Sequence, residues 1–251
     1  MRRFQNTNNL LIPSVLFLFL LIAWECIARF GVVPDFMLPA PTTIFSAALS
    51  DRVILWEHLK VTLSEAAIGL SLGTLAGVFF AVLMDLSDKI KKALYPLIVL
   101  SQTVPTVAVA PLLVLWFGYG ILPKVLLVAL TTFFPIAVGV FEGFKSVKEE
   151  YLNLFKSMGA SRLKIYSLLK FPFAVPYFFA GLKISVSYAI VGAVISEWLG
   201  GFSGLGVYMT RVRKAYAFDR MFAVIFIISI ISLLCMGLVS IVRKVIVKWE
   251  E

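Results

Sequence analysis

Charge is scarce in this sequence: 15% of its residues are Asp, Glu, Lys or Arg, against roughly 25% in soluble domains. A chain of 251 residues folded around one core in water would still need a charged exterior. Here the charges gather in short stretches between apolar runs, which excludes an ordinary soluble domain. Cysteine is nearly absent too. Cys26 and Cys235 both fall inside apolar runs with no partner at short spacing, so neither a disulfide framework nor a thiolate metal site is built here. The single histidine, His58, removes His-based metal clusters and reads as a solvent-facing loop residue. No nucleophile, metal cluster or carboxylate pair has a recognisable spacing, and Glu65, Lys183 and Glu197 stand isolated. No residue is therefore assigned a catalytic or metal-binding role. The sequence also has no G-x-x-x-x-G-K-[ST] run, so it carries no phosphate loop for ATP.

What it has in abundance is apolar length: 61% of residues are hydrophobic and the mean hydropathy is +0.97. Spanning a bilayer takes about 20 such residues in a row, and six runs qualify, at about 10–28, 61–84, 94–117, 121–141, 173–196 and 222–242. They are too long and continuous for tilted strands, and in hydrocarbon the backbone must satisfy itself, so they are expected as helices. The fold class is all-α integral membrane, one domain over 1–251 with a loop at 142–172. Met1-Arg2-Arg3 and the following run imitate a signal peptide. The run is long, contains Trp24 and Glu25, and lacks a small-x-small cleavage site, so it is expected as an uncleaved first span.

A net charge of +9 could suggest nucleic acid, but the Lys and Arg residues flank apolar runs and form no basic stripe. They read instead as topology signals. With both termini cytoplasmic, fourteen fall inside and eight outside, the outer set including Lys124, Arg211, Arg213, Lys214 and Arg220.

Within the second run, Gly69, Gly73 and Gly77 recur at i+4 on one helix face, and Gly181, Ser185, Ala189 and Ala193 do the same in the fifth. Small residues at that spacing let another helix approach closely. Such faces either pack statically or slide during a conformational cycle. The third run, "YPLIVLSQTVPTVAVAPLLVLWFGYG", is punctuated by Pro96, Pro105 and Pro111 and carries Ser101, Gln102, Thr103 and Thr106 near its centre. Each internal proline deletes a backbone bond, and freed carbonyls at membrane depth are tolerated only against protein or a wet cavity. This helix either borders a pathway, with Gln102, Thr103 and Thr106 facing it, or is a kinked packing helix whose polar groups satisfy its own backbone. Glu197 follows an apolar stretch and precedes a glycine-rich turn from Gly200 to Gly206. An ionisable group at depth is paired or functional, which adds it to the pathway candidates; the other reading seats it at the interface beside Trp198. The turn itself is too rich in glycine to continue a helix and reads as a re-entrant or capping loop.

The segment "YLNLFKSMGASRLKIYSLLKFP", residues 151–172, is unlike its surroundings. Tyr151, Leu152, Leu154, Phe155 and Met158 recur at helical spacing, Gly159 supplies a C-cap and Ser161 an N-cap, and Leu163, Ile165, Tyr166, Leu168 and Leu169 continue on a second short helix. With Lys156, Arg162 and Lys164 nearby, the pair suits either anionic headgroups or a groove on another protein.

Gly159, Leu169 ten residues on and Pro172 thirteen on match the cytoplasmic loop of ABC-importer membrane subunits, whose consensus is EAA, three residues, Gly, nine residues, Ile-x-Leu-Pro. This chain departs from it at Asn153-Leu154-Phe155 and at Phe171. "QTVPTVAVAPLLVLWFGYG", "FFPIAVGVFEGFKSV" and "ISEWLGGFSGLGVYM" extend the resemblance over nearly the whole chain, to the branch that imports nitrate, sulfonates, taurine, thiamine-type pyrimidines or riboflavin. "WFGYG" and "LPK" lean towards the pyrimidine or riboflavin type. The resemblance implies a type I permease bundle in the cell membrane, paired with a second permease copy. It also implies cytoplasmic ATPase subunits that hold the ATP and Mg, and an extracytoplasmic binding protein that delivers the solute. Contact with the ATPase would fall to Glu150, Leu154, Phe155, Met158, Gly159, Ala160, Ser161 and Pro172. An ion-driven secondary carrier is the competing reading; such carriers often show internal repeats, and residues 1–120 and 121–251 show none.

Overall fold

The computed structural model describes residues 4–31, 33–34 and 36–248, with side chains described from Leu11 on. Arg2 and Arg3, which weigh in the charge count, lie outside the described residues. The helices follow in the order α1 (Phe4–Arg29), α2 (Pro41–Ser50), α3 (Arg52–Leu86), α4 (Asp88–Ser101), α5 (Thr106–Phe117), α6 (Ile121–Lys145), α7 (Glu149–Ser157), α8 (Arg162–Ile165), a π-helical turn (Tyr166–Lys170), α9 (Phe171–Leu199), α10 (Leu205–Lys214) and α11 (Phe218–Ile246). Five stretches are single helices long and apolar enough to cross a membrane: Leu11–Arg29, Arg52–Leu86, Ile121–Lys145, Arg162–Leu199 and Phe218–Ile246. The protein is all-helical, and five of the six apolar runs are its longest helices.

The expected third span differs from the sequence reading. α4 and α5 meet at a bend of 99°, so 94–117 is no single straight helix but a broken or re-entrant span. The cause is local. Pro105 has no N–H to offer the preceding turn and sits extended at the start of α5 (φ −62°, ψ 120°). Ser101 and Thr103 donate their hydroxyls to the carbonyls of Ile98 and Leu100, 2.8 and 2.7 Å away, which closes the open end of α4. Two shorter elements, α2 and α10, and the early start of α3 at Arg52 also go beyond that reading.

The chain forms two compact units, residues 1–57 with 208–227, and 58–207 with 228–251. In the first, residues 11–20 of α1 are all exposed, as a helix facing lipid requires. Glu25 accepts from Arg29 Nε at 2.5 Å and from the hydroxyl and amide of Thr42 at 2.7 and 3.1 Å, joining the end of α1 to the start of α2. Trp24 stacks on Phe226. Asp51 accepts from Tyr208 Oη at 2.5 Å and lies 3.3 Å from Arg220 Nε.

In the second unit α6 is the central helix, with α3 and α9 against it. A Cβ on Gly69 would stand 2.5 Å from Val128 Cβ, one on Gly73 2.7 Å from the Ala129 carbonyl and one on Gly77 2.9 Å from Ile136 Cγ2. Successive turns of α3 thus rest on successive turns of α6. Across α6, Gly181 abuts the backbone of Pro135 and Ser185 donates to the Thr132 carbonyl at 2.8 Å. Gly139 and Gly143 of α6 open the same seam from the other side, against Tyr177 and Ala174. Lipid supplies no hydrophobic drive between helices, so this close backbone approach and its dispersion energy hold the layer together. At the Gly143 end of the seam, Met84, Ile136, Val140, Phe141 and Phe144 form a buried cluster with Ala81, Ile98 and Ala174.

Candidate functional site

Three features of the second unit carry chemistry, and the first is the segment after α6. Helix α7 ends in a Schellman motif: the Ala160 amide donates to the Phe155 carbonyl and the Gly159 amide to that of Lys156, both at 3.0 Å. Gly159 takes φ +73°, a left-handed conformation that a side chain makes costly. Ser161 then caps α8, accepting from the Lys164 amide at 3.4 Å. The second helix of this pair is not short. It runs through the π turn into α9, because Pro172 has no N–H for the Leu168 carbonyl, and the widened turn lets the Phe171 amide reach Tyr166 instead.

One face of this pair is packed and the other is bare. Leu152, Phe155 and Ala160 pack on the buried Val147, Ile165 and Leu169. Leu154, Met158 and Leu163 are 54%, 75% and 80% exposed. Glu150 is exposed at the start of α7, and Pro172 is partly buried in the first turn of α9. The pair is anchored to the end of α3, where Asp85 accepts from Lys170 Nζ at 2.5 Å and from the Tyr166 hydroxyl.

A cavity of about 520 Å³ lies where the α4–α5 break faces α6 and α9. Ser101, Gln102 and Thr106 reach it from the break, Thr131, Phe134 and Pro135 from α6, and Tyr188, Gly192 and Ile195 from α9. No charged residue is among its described lining. Of the pathway candidates, Gln102 and Thr106 therefore come together here. Thr103 and Glu197 do not line the cavity; Thr103 turns to its own backbone.

Glu197 belongs to a third feature, a buried polar clasp. It is 1% exposed, with Oε1 accepting from Thr62 Oγ1 at 2.7 Å and Oε2 from the Gly206 amide at 2.6 Å. The Leu205 amide donates to Thr62 Oγ1 at 2.8 Å and the Gly204 amide to His58 Nδ1 at 2.9 Å. A Cβ on Gly204 (φ +122°) would stand 2.5 Å from Glu197 Oε2, so the turn fits the carboxylate only as glycine. Beside it Lys124 Nζ meets Glu65 Oε1 at 2.7 Å, both residues buried. The interface position beside Trp198 is thus not where Glu197 sits.

Two sequence expectations change. His58 is buried and holds the turn, so it is no solvent-facing loop residue. Lys124, read as a topology charge, is the buried partner of Glu65. Sequence reasoning also missed Thr62, Asp85 and Tyr166. The usable signal was that an ionisable residue inside an apolar helix needs a counter-group; Glu65, Lys124 and Glu197 each called for one.

A multi-helix membrane protein with a rigid, apolar-faced appendage and a broken span beside a cavity belongs to the class of transport permeases. Residues 73–249 match the family of binding-protein-dependent transport system inner membrane components. The chain belongs to this family, and is a non-catalytic, multi-pass subunit of the inner membrane that works with an ATPase and a binding protein. It is 37% identical over 248 residues to the formylaminopyrimidine transport permease protein ThiX of Halalkalibacterium halodurans, covering 98% of this chain and 99% of that one. It is 38% identical over 225 residues to a probable ABC transporter permease protein of Haemophilus influenzae, covering 90% and 92%. Its fold resembles the inward-facing MetNI methionine ABC transporter, with a TM-score of 0.65 at 14% identity over 79% of this chain and 97% of that one.

Proposed function

We propose that this chain is the translocation subunit of an importer for a neutral, planar solute of the formylaminopyrimidine class. The carrying observation is the 520 Å³ cavity beside the broken span: apolar and aromatic walls, a few hydroxyl and amide groups, and no Lys or Arg among its described lining residues. Such walls suit a flat heteroaromatic ring with hydrogen-bonding edges. Nitrate or an alkyl sulfonate would enter as a charge with no counter-charge in the wall, and taurine as a zwitterion with neither of its charges met. The likeness to the formylaminopyrimidine permease over almost the full length of both chains supports the same class. Gln102 and Thr106 would face the solute, while Glu197 keeps the pathway wall in shape through the glycine-rich turn.

In this reading residues 149–170 lie in the cytoplasm with both termini, two copies of the chain enclose the pathway, and ATP and Mg stay on the ATPase subunits. Leu154, Met158 and Leu163 enter the ATPase, Glu150 lies at the rim of the contact, and the Phe155-Gly159-Ala160-Ser161 turn fixes the angle at which they do so. Pro172 passes the displacement into α9. The single transmembrane domain comprises all six spans, the broken one included.

Uptake by vesicles holding the chain with its ATPase and binding protein tests this. A radiolabelled formylaminopyrimidine accumulates on ATP addition, and Gln102→Leu lowers the initial rate. Accumulation of taurine or nitrate with no pyrimidine uptake refutes the solute class. Thiol labelling of a cysteine placed at Lys156 from the external side refutes the orientation.

A further inference from the structure

A second cavity, basic and of about 310 Å³, lies between the first half of α9 and the last turns of α11. That is about ten times the ~30 Å³ that a water molecule takes up in the liquid. Lys183, Arg243 and Lys244 line it with Ser240, over an apolar floor that includes Phe179 and Val239. No carboxylate is among its described lining residues. The Ser240 hydroxyl already donates to the Met236 carbonyl at 2.9 Å, so an anion here would be held by Lys183 and Lys244.

Its position separates it from the solute cavity. Nine residues of α-helix turn 900°, so Phe179 and Tyr188 point to opposite sides of α9. Tyr188 lines the cavity at the broken span and Phe179 lines this one. The basic cavity therefore opens away from the proposed pathway. The placement of its charges suits the level of a headgroup layer. The apolar stretch of α11 ends where Arg243 and Lys244 begin, and Lys183, one residue type that apolar helices ordinarily exclude, sits where its long stem can carry the ammonium to that level. Around the mouth, Leu238, Ile241 and Val245 of α11 and Ile184 of α9 are exposed. An anion bound here is thus surrounded by apolar surface suited to acyl chains, which a free phosphate does not have.

We propose that this cavity is a binding site for an anionic phospholipid, its phosphate between Lys183 and Lys244 and its acyl chains on the exposed face of α11. Basic pockets between helices at the membrane surface recognise such headgroups. The occupant is a lipid of the leaflet on the side of residues 149–170, since α9 leaves that segment directly.

The full chain is to be purified in nanodiscs of phosphatidylcholine containing phosphatidylglycerol, and retained lipid counted by native mass spectrometry. The wild type keeps one phosphatidylglycerol per chain in preference to phosphatidylcholine. Lys183→Gln with Lys244→Gln lowers that preference roughly thirtyfold, the effect of two basic side chains at an anionic surface. Lys183→Arg with Lys244→Arg keeps it. Equal retention of the two lipids by wild type overturns the proposal, and needs no variant to fold. So does undiminished preference in the double glutamine variant, or displacement of the lipid by millimolar inorganic phosphate, which would mark a soluble-anion site.

Discussion

Thr62 is the smallest change that tests the clasp. Its hydroxyl donates to Glu197 and accepts from the Leu205 amide, and Thr62 is wholly buried. Thr62→Val keeps the shape and removes both bonds, leaving a buried amide and one carboxylate oxygen without this partner. Each buried group left unsatisfied costs about 1–3 kcal/mol, with the upper end for a charged one, so the pair comes to about 4 kcal/mol. At about 2–4 °C per kcal/mol for a chain of this size, the melting temperature falls by roughly 10 °C. Thr62→Ser, which keeps the hydroxyl and loses a methyl, falls by about 3 °C from the small cavity alone. Thermal denaturation of the purified chain in detergent, read by the loss of the monodisperse size-exclusion peak, measures both. If the valine variant melts with or above the serine variant, the clasp contributes packing and no hydrogen-bond energy, and the reasoning fails.

Glu65→Gln strands the Lys124 ammonium in a buried site, and breaking such a pair costs about 3–5 kcal/mol; the double change Glu65→Gln with Lys124→Met recovers most of the lost melting temperature. Gly73→Val drives a branched side chain into Thr132 and the Ala129 carbonyl; the chain is expected to insert but to be trypsin-sensitive in α3, whereas Ser71→Val on the exposed side of the same helix is not. Gly159→Val forces a β-branched residue into φ +73°, and uptake and ATPase co-purification fall together while membrane insertion is unchanged. In the first unit, burial first and then the bond to Asp51 hold the Tyr208 phenol above its ordinary value near 10. The neutral phenol is the form the fold favours, so its stabilisation is whole below pH 10 and lost as pH climbs past 10. Tyr208→Phe flattens that alkaline limb of the melting temperature.

Apolar length made the long helices legible, because a bilayer asks for about 20 apolar residues whatever they pack against. The glycine faces were legible for a related reason: spacing alone puts Gly69, Gly73 and Gly77 on one stripe, although nothing in the spacing says that α6 covers it. The cap at Gly159 and Ser161 is local chemistry, readable within five residues. The clasp was not, since Thr62 and Glu197 lie 135 residues apart and Glu65 and Lys124 59 apart. A counter-group is implied by the cost of the buried charge, but its identity comes from how helices are layered. His58 misled for the same reason: a lone imidazole near a helix start looks like surface until the turn at Gly204 is brought against it. The π turn escaped because Pro172 was placed at the end of the 142–172 loop, when the ladder before it can also widen and continue.

The two kinds of joint in the second unit divide rigidity from movement. From α8 to the end of α9 the backbone is helical without a break, and α9 is seated on α6, and α6 on α3, through glycines that leave no slack between backbones. Asp85 ties the start of this path to the end of α3, so α3 and the loop segment are held at two points on the same layer. A displacement of Leu154, Met158 and Leu163 is therefore carried by the three-helix layer as a body, because any relative slide of α3, α6 and α9 drives glycine positions onto side chains. The 99° break between α4 and α5 has the opposite character. It is exposed at residues 102–105, its hydroxyls satisfy their own helix end and it borders the 520 Å³ cavity. Backbone rotation at those residues changes the cavity at small cost in packing, while rotation within the layer does not occur without unpacking the core at Phe141 and Phe144. Under the proposed coupling, the place where the cavity would alter its shape is thus set by Pro105, and the place where force would enter is set by Gly159.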